Sequence, residues 1–201
     1  AAAGETHRPE GLTPGLVLEL AVAAMRSSMG CAAVVLRDVE LAPLSSGRGD
    51  ELDLRLSATA TANGRDWQLS VHDGDHIHLV ARGSAEATAD GPGPIVPSSR
   101  LALTGRRLDG ADLIKRSSHR STVTDPWRSV RSVVTTGQEA VVTLQAPGPE
   151  SDSKWTVGPT LIDGALHAAA SPGGVDATTA LTPVAVERLV VRHPLTSGAR
   201  A

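Results

Sequence analysis

The chain reads as an α+β fold built from two similar halves. Three observations carry this. Two helices are apolar on most faces, one near each end. Short alternating strands surround each of them. A stretch rich in proline and glycine divides the chain. A helix apolar nearly all round must be covered on several sides, and a curved sheet wrapped around it is the economical solution. The expected division is a first half over 1–89, a linker over 90–105 and a second half over 106–201.

The first helix follows from Thr13-Pro14-Gly15, which leads into Leu16-Val-Leu-Glu-Leu-Ala-Val-Ala-Ala-Met-Arg26. Thr13 suits the N-cap and Pro14 the first helical position, where no N–H is needed. Strands are expected at Ala33–Leu41, which is rich in Val and Leu, and at Glu51–Ser57, which alternates strictly. Asp66–Val71 and His76–Ala81 alternate too. The Asp73-Gly74 pair between them is a hairpin signal. Asp90–Ser99 holds the prolines and glycines of the linker. In the second half the pattern predicts a short helix over Gly110–Ser118 and strands at Arg128–Thr135 and Glu139–Gln145. A second apolar helix over Thr160–Ala170, capped by Thr160, and a last strand over Val184–Val191 follow.

Composition narrows the function. The 201 residues are enough for a sizeable core, and the net charge of −3 gives no basic surface for nucleic acid. No apolar run approaches the ~20 residues of a membrane span; Leu16–Met25 is interrupted by Glu19. No secretory leader is evident, and Cys31 stands alone, so a cytoplasmic setting is expected. Arginine greatly outnumbers lysine, a coding bias of GC-rich bacterial genomes. The chain has no Phe and no Tyr, so its core must be filled by Leu, Val and Trp.

Two segments carry the chemistry. His7-Arg-Pro-Glu-Gly11-Leu-Thr-Pro14-Gly15 resembles the N-terminal signature of polyketide synthase and animal fatty acid synthase dehydratases: His, three residues, Gly, four residues, Pro. Here the proline comes two residues early. Val157-Gly-Pro-Thr-Leu-Ile-Asp163-Gly-Ala-Leu-His167 is similar to the same family's His-Pro-x-Leu-Leu-Asp-x-x-x-Gln/His, with Gly158 where a His is common. Asp163 and His167, four apart, share one helix face. Weaker echoes fall in the family order. They are Val80-Ala-Arg-Gly83, Asp125-Pro126-Trp127 without the usual Tyr, and Leu181-Thr-Pro183 without the usual Phe.

The resemblance implies a double hotdog and a dehydratase within a bacterial polyketide synthase. It would eliminate water from 3-hydroxyacyl thioesters. The substrate would ride on the phosphopantetheine arm of an acyl carrier protein, with no metal or other cofactor. Neighbouring synthase domains and a second copy of the chain would be partners. His7 would be the base that takes the C2 proton, since a neutral imidazole titrates near working pH. Asp163 would be the acid, kept protonated by burial among Leu161, Ile162, Ala165 and Leu166. His167 would orient its carboxyl. Free N–H groups at the helix start, Pro14-Gly15, would meet the thioester oxygen. Gly11 and Pro126 complete the expected supporting set.

Blander readings stand beside these. Alone, His7 is a surface histidine and His167 a core one. His72, His76 and His78 around the hairpin suggest a metal site, but a polar hairpin explains them more simply. Cys31 reads as a structural thiol. Within the family, the fold also serves double-bond migration and cyclisation, and a degenerate copy would serve as a dimerising scaffold.

Overall fold

The computed structural model describes residues 12–42, 53–73, 75–88, 106–110, 129–135, 140–145, 155–170 and 183–191. Helix α1 spans Pro14–Met29. Thr13 caps it in extended backbone, its side chain accepting the Leu16 N–H. Gly30, left-handed at φ 61°, ends it, and the Cys31 N–H returns to the Arg26 carbonyl. This is the glycine-terminated helix end that satisfies otherwise orphaned carbonyls.

Five strands wrap this helix: β1 (Val34–Leu41), β2 (Asp53–Ala60), β3 (Arg65–Asp73), β4 (His76–Ala87) and β8 (Ala185–Val191). Their order is β2-β3-β4-β1-β8, with every pairing antiparallel. Asp73 pairs with His76 across the expected hairpin turn. β4 runs on past Ala81 to Ala87 because its second half pairs with Val34–Arg37 of β1. A bulge at Asp38, φ 49°, interrupts that ladder opposite Gly83.

A second sheet orders β5 (Arg106–Asp109), β6 (Val130–Thr135) and β7 (Ala140–Leu144). Helix α2 (Pro159–Ala170) packs against β6 and β7 and against α1. Strand β5 is an addition to the expected set. Arg-Arg-Leu-Asp has one apolar residue and shows no alternation worth reading. Of the short helix expected over Gly110–Ser118 only Gly110 is among the described residues, and the linker expected over 90–105 lies outside them.

The core lies between α1 and the larger sheet. Val17, Leu18, Ala21, Val22 and Met25 of α1 meet Val34, Leu36, Val39, Trp67, Leu69, Val80 and Val191. Ile162 of α2 joins the same cluster, tying the two helices together. Aliphatic side chains and Trp67 therefore supply the bulk that Phe and Tyr ordinarily provide, as the composition requires. None of the helices among the described residues is long and apolar enough to cross a membrane.

Candidate active site

The start of each helix faces a carboxylate of the other. At α1, Pro14 offers no N–H, so Gly15 supplies the first amide at the helix start. That N–H donates to Asp163 Oδ1 at 2.7 Å. The Thr13 hydroxyl donates to Asp163 Oδ2 at 2.6 Å while accepting the Leu16 N–H at 3.2 Å. The close approach depends on Gly15. A Cβ there would lie 2.6 Å from Asp163 Cγ and would also collide with the Pro159 carbonyl oxygen.

At α2 the arrangement is mirrored. Glu19, 1 % exposed, lies in the middle of the apolar α1 stripe. Its carboxylate accepts the N–H groups of Val157 at 3.0 Å and Gly158 at 3.3 Å, and that of Thr156. Gly158 sits at φ 100°, a backbone conformation that side chains rarely adopt. The Leu161 and Ile162 amides return to its carbonyl. The expected Thr160 cap is thus corrected. The helix begins one residue earlier at Pro159, Gly158 has no side chain to cap with, and Glu19 binds the amides just ahead of the helix. The Thr160 carbonyl instead accepts the Ser129 hydroxyl at 3.0 Å. The signal for Glu19 was legible: a carboxylate in a helix buried all round demands donors.

Burial raises the Asp163 pKa above its ordinary 3.8. The hydrogen bonds from Thr13 and Gly15, and the charge of His167, pull the other way without overcoming it. The direction expected from an apolar setting is therefore the one found. Thr13 and Gly15 hydrogen-bond the carboxyl, and the charge of His167, one turn along α2 and half-buried, also acts on it. The helix start is not free to receive a thioester oxygen. Its Gly15, Leu16 and Val17 amides go to Asp163 Oδ1, Thr13 Oγ1 and the Thr13 carbonyl.

His7, Gly11 and Pro126 lie outside the described residues. Elsewhere, the His76 and His78 rings stand 6.3 Å apart on the hairpin, and His72 Nε2 is 3.4 Å from Ser70 Oγ. Among the described residues no group of three or more His, Cys, Asp or Glu could hold a metal ion. Cys31 is half-buried against the core. A cavity of about 590 Å³ lies on the face of the large sheet turned away from α1, lined by Ser57, Thr59, Asp66, Gln68, Arg82 and Ser84 among others. No residue of α1 or α2 lines it.

Comparison with known proteins identifies the family. The family model described as the polyketide synthase dehydratase N-terminal domain matches residues 97–201, more than half of the chain and the part that holds Asp163. The chain belongs to the polyketide synthase dehydratase family. Solved dehydratase domains share its double-hotdog fold. The domain from the CurF module of curacin polyketide synthase superposes with a TM-score of 0.76 at 15% identity, covering 93% of this chain and 71% of that one. The domain from the CurJ module gives 0.75 at 12%, covering 93% and 68%. The dehydratase domain of RzxB from Pseudomonas fluorescens gives 0.70 at 19%, covering 92% and 70%. No curated protein sequence matches the chain.

Proposed function

We propose that this dehydratase-family domain eliminates water from 3-hydroxyacyl thioesters borne on an acyl carrier protein. One observation carries the reading: a part-buried carboxyl, Asp163, held by the Thr13 hydroxyl and the Gly15 amide where the two helices meet, with burial raising its pKa above its ordinary 3.8. A carboxyl whose pKa burial raises is better placed to hold and give up a proton as the pH approaches neutrality. In the proposed step His7 removes the C2 proton, and the C2–H electron pair becomes the C2–C3 double bond. The C3–O bond breaks, and the Asp163 proton passes to the departing hydroxyl, which leaves as water. Asp163 is left a carboxylate and His7 an imidazolium, and proton exchange resets both. The thioester oxygen takes its hydrogen bond from a donor other than the Gly15 amide. The elimination is redox-neutral, so the reading calls on no cofactor beyond the carrier's phosphopantetheine arm. Neighbouring synthase domains and a second copy of the chain are proposed as partners on the strength of the family.

The test is a mass-spectrometric assay of carrier-protein or pantetheine 3-hydroxyacyl thioesters. The parent should convert them to species lighter by one water, and His7→Ala and Asp163→Asn should not. A folded parent that leaves substrates of several chain lengths unchanged would refute the reading in favour of a scaffold. Migration of a double bond in an enoyl thioester without water loss would indicate an isomerase.

A further inference from the structure

We propose that Thr13 is a positioning residue for this chemistry, fixing which oxygen of Asp163 carries the proton and reversing its own hydrogen bond as that proton leaves. The inference rests on the reading of Asp163 as the acid. The geometry supplies the rest. A backbone N–H can only donate, so Asp163 Oδ1, bound by Gly15, is an acceptor in both protonation states. The acid's proton therefore resides on Oδ2. The partner of Oδ2 is the Thr13 hydroxyl, which can accept as well as donate.

Thr13 cannot drift. The Leu16 amide holds its oxygen, and its backbone is the cap of α1. With Asp163 neutral, Thr13 accepts from Oδ2–H. When the proton moves to the departing hydroxyl, the O–H bond at Oδ2 breaks and its electron pair stays on the carboxylate. The Thr13 hydroxyl then turns and donates to that charge, and its own hydrogen is not transferred. A charge-assisted bond that forms as the proton departs favours the transition state over the ground state.

Among the described residues, His167, on the same helix, is the charged group that shifts the Asp163 titration. Glu19 of α1 is turned to the start of α2. On β6 Arg131 is exposed, and β7 has no titratable side chain.

The experiment compares parent, Thr13→Val and Thr13→Ser by two readouts. One is the pH dependence of kcat and KM for dehydration; the other is the Asp163 carboxyl titration by carbon-13 NMR. Valine removes a donor that favours the carboxylate. The Asp163 titration and the alkaline limb of kcat should both move to higher pH. At the plateau kcat should fall on the order of tenfold, with KM within about twofold. Serine should restore all three. A purely structural cap would lower the melting temperature of the valine variant and leave titration and limb in place, which overturns the proposal. If the parent dehydrates nothing yet valine still raises the titration, the dehydratase reading falls and the hold of Thr13 on the carboxyl stands.

Discussion

Adding one methyl group at Gly15 tests the contact on which the site is built. In Gly15→Ala the new Cβ would lie 2.6 Å from Asp163 Cγ and 2.8 Å from Oδ1. Carbon atoms in contact settle at roughly 3.5–4.0 Å, so α1 and α2 must part by about 1 Å at this point. The Gly15 N–H to Oδ1 bond, now 2.7 Å, then leaves hydrogen-bonding range. Overpacking of this kind costs about 1–3 kcal/mol. The lost bond to an ionisable group costs about 1.5–3 kcal/mol more. Alanine returns up to about 1 kcal/mol through helix propensity. The net destabilisation is about 1.5–6 kcal/mol, equivalent to a fall of roughly 3–24 °C in melting temperature for a chain of this size. Thermal unfolding followed by circular dichroism at 222 nm reads it directly, and dehydration should be lost even below the transition. A variant that melts within about 2 °C of the parent would refute the reasoning, since the smallest estimate above already exceeds that shift.

Other outcomes follow from the same geometry. Asp163→Asn should melt higher than the parent at pH 8, and the difference should shrink as the pH falls toward the ordinary aspartate value of 3.8. The sign follows from linkage. A carboxyl whose folded pKa is raised contributes stability that is complete below its unfolded value and lost as pH rises through the folded value. Asparagine imitates the neutral acid at every pH, and parallel melts across pH check this. Glu19→Gln should cost about 2–3 kcal/mol in urea unfolding, because it brings an NH2 donor into a pocket whose partners are themselves N–H donors. Glu19→Leu should cost at least as much, leaving the Val157 and Gly158 amides unpaired.

Much of this architecture was legible in residue order where the determinants are local. Thr13 and Pro14 mark the start of α1 because a cap and an N–H-free residue suit that place. Asp-Gly marks the β3–β4 turn because it tolerates the backbone the hairpin needs. Asp163 stood out as a carboxyl amid apolar neighbours, and its setting does raise its pKa. What escaped depends on distant chain. β8 pairs with β1 across about 150 residues, and no local pattern encodes that partner. β4 outran its expected end because β1 offers a ladder to a segment of mixed polarity. α2 starts one residue earlier than expected, at Pro159, and the amides just ahead of it are held by Glu19, on another helix. The same remoteness hid the fate of the Gly15 amide. A free helix start looks like a site for a substrate oxygen until a carboxylate 148 positions away is seen to occupy it.

The central claim is that the two helices hold Asp163 as a proton donor. The most direct test is the titration of its carboxyl carbon by NMR in the folded parent, assigned by comparison with Asp163→Asn. The account predicts a midpoint above the ordinary aspartate value of 3.8, with burial outweighing the Thr13 and Gly15 hydrogen bonds and the His167 charge. A midpoint at or below that value would mean that the hydrogen bonds and the charge win. Burial would then not prepare Asp163 to give up a proton nearer neutral pH, and the acid role assigned to it would be contradicted.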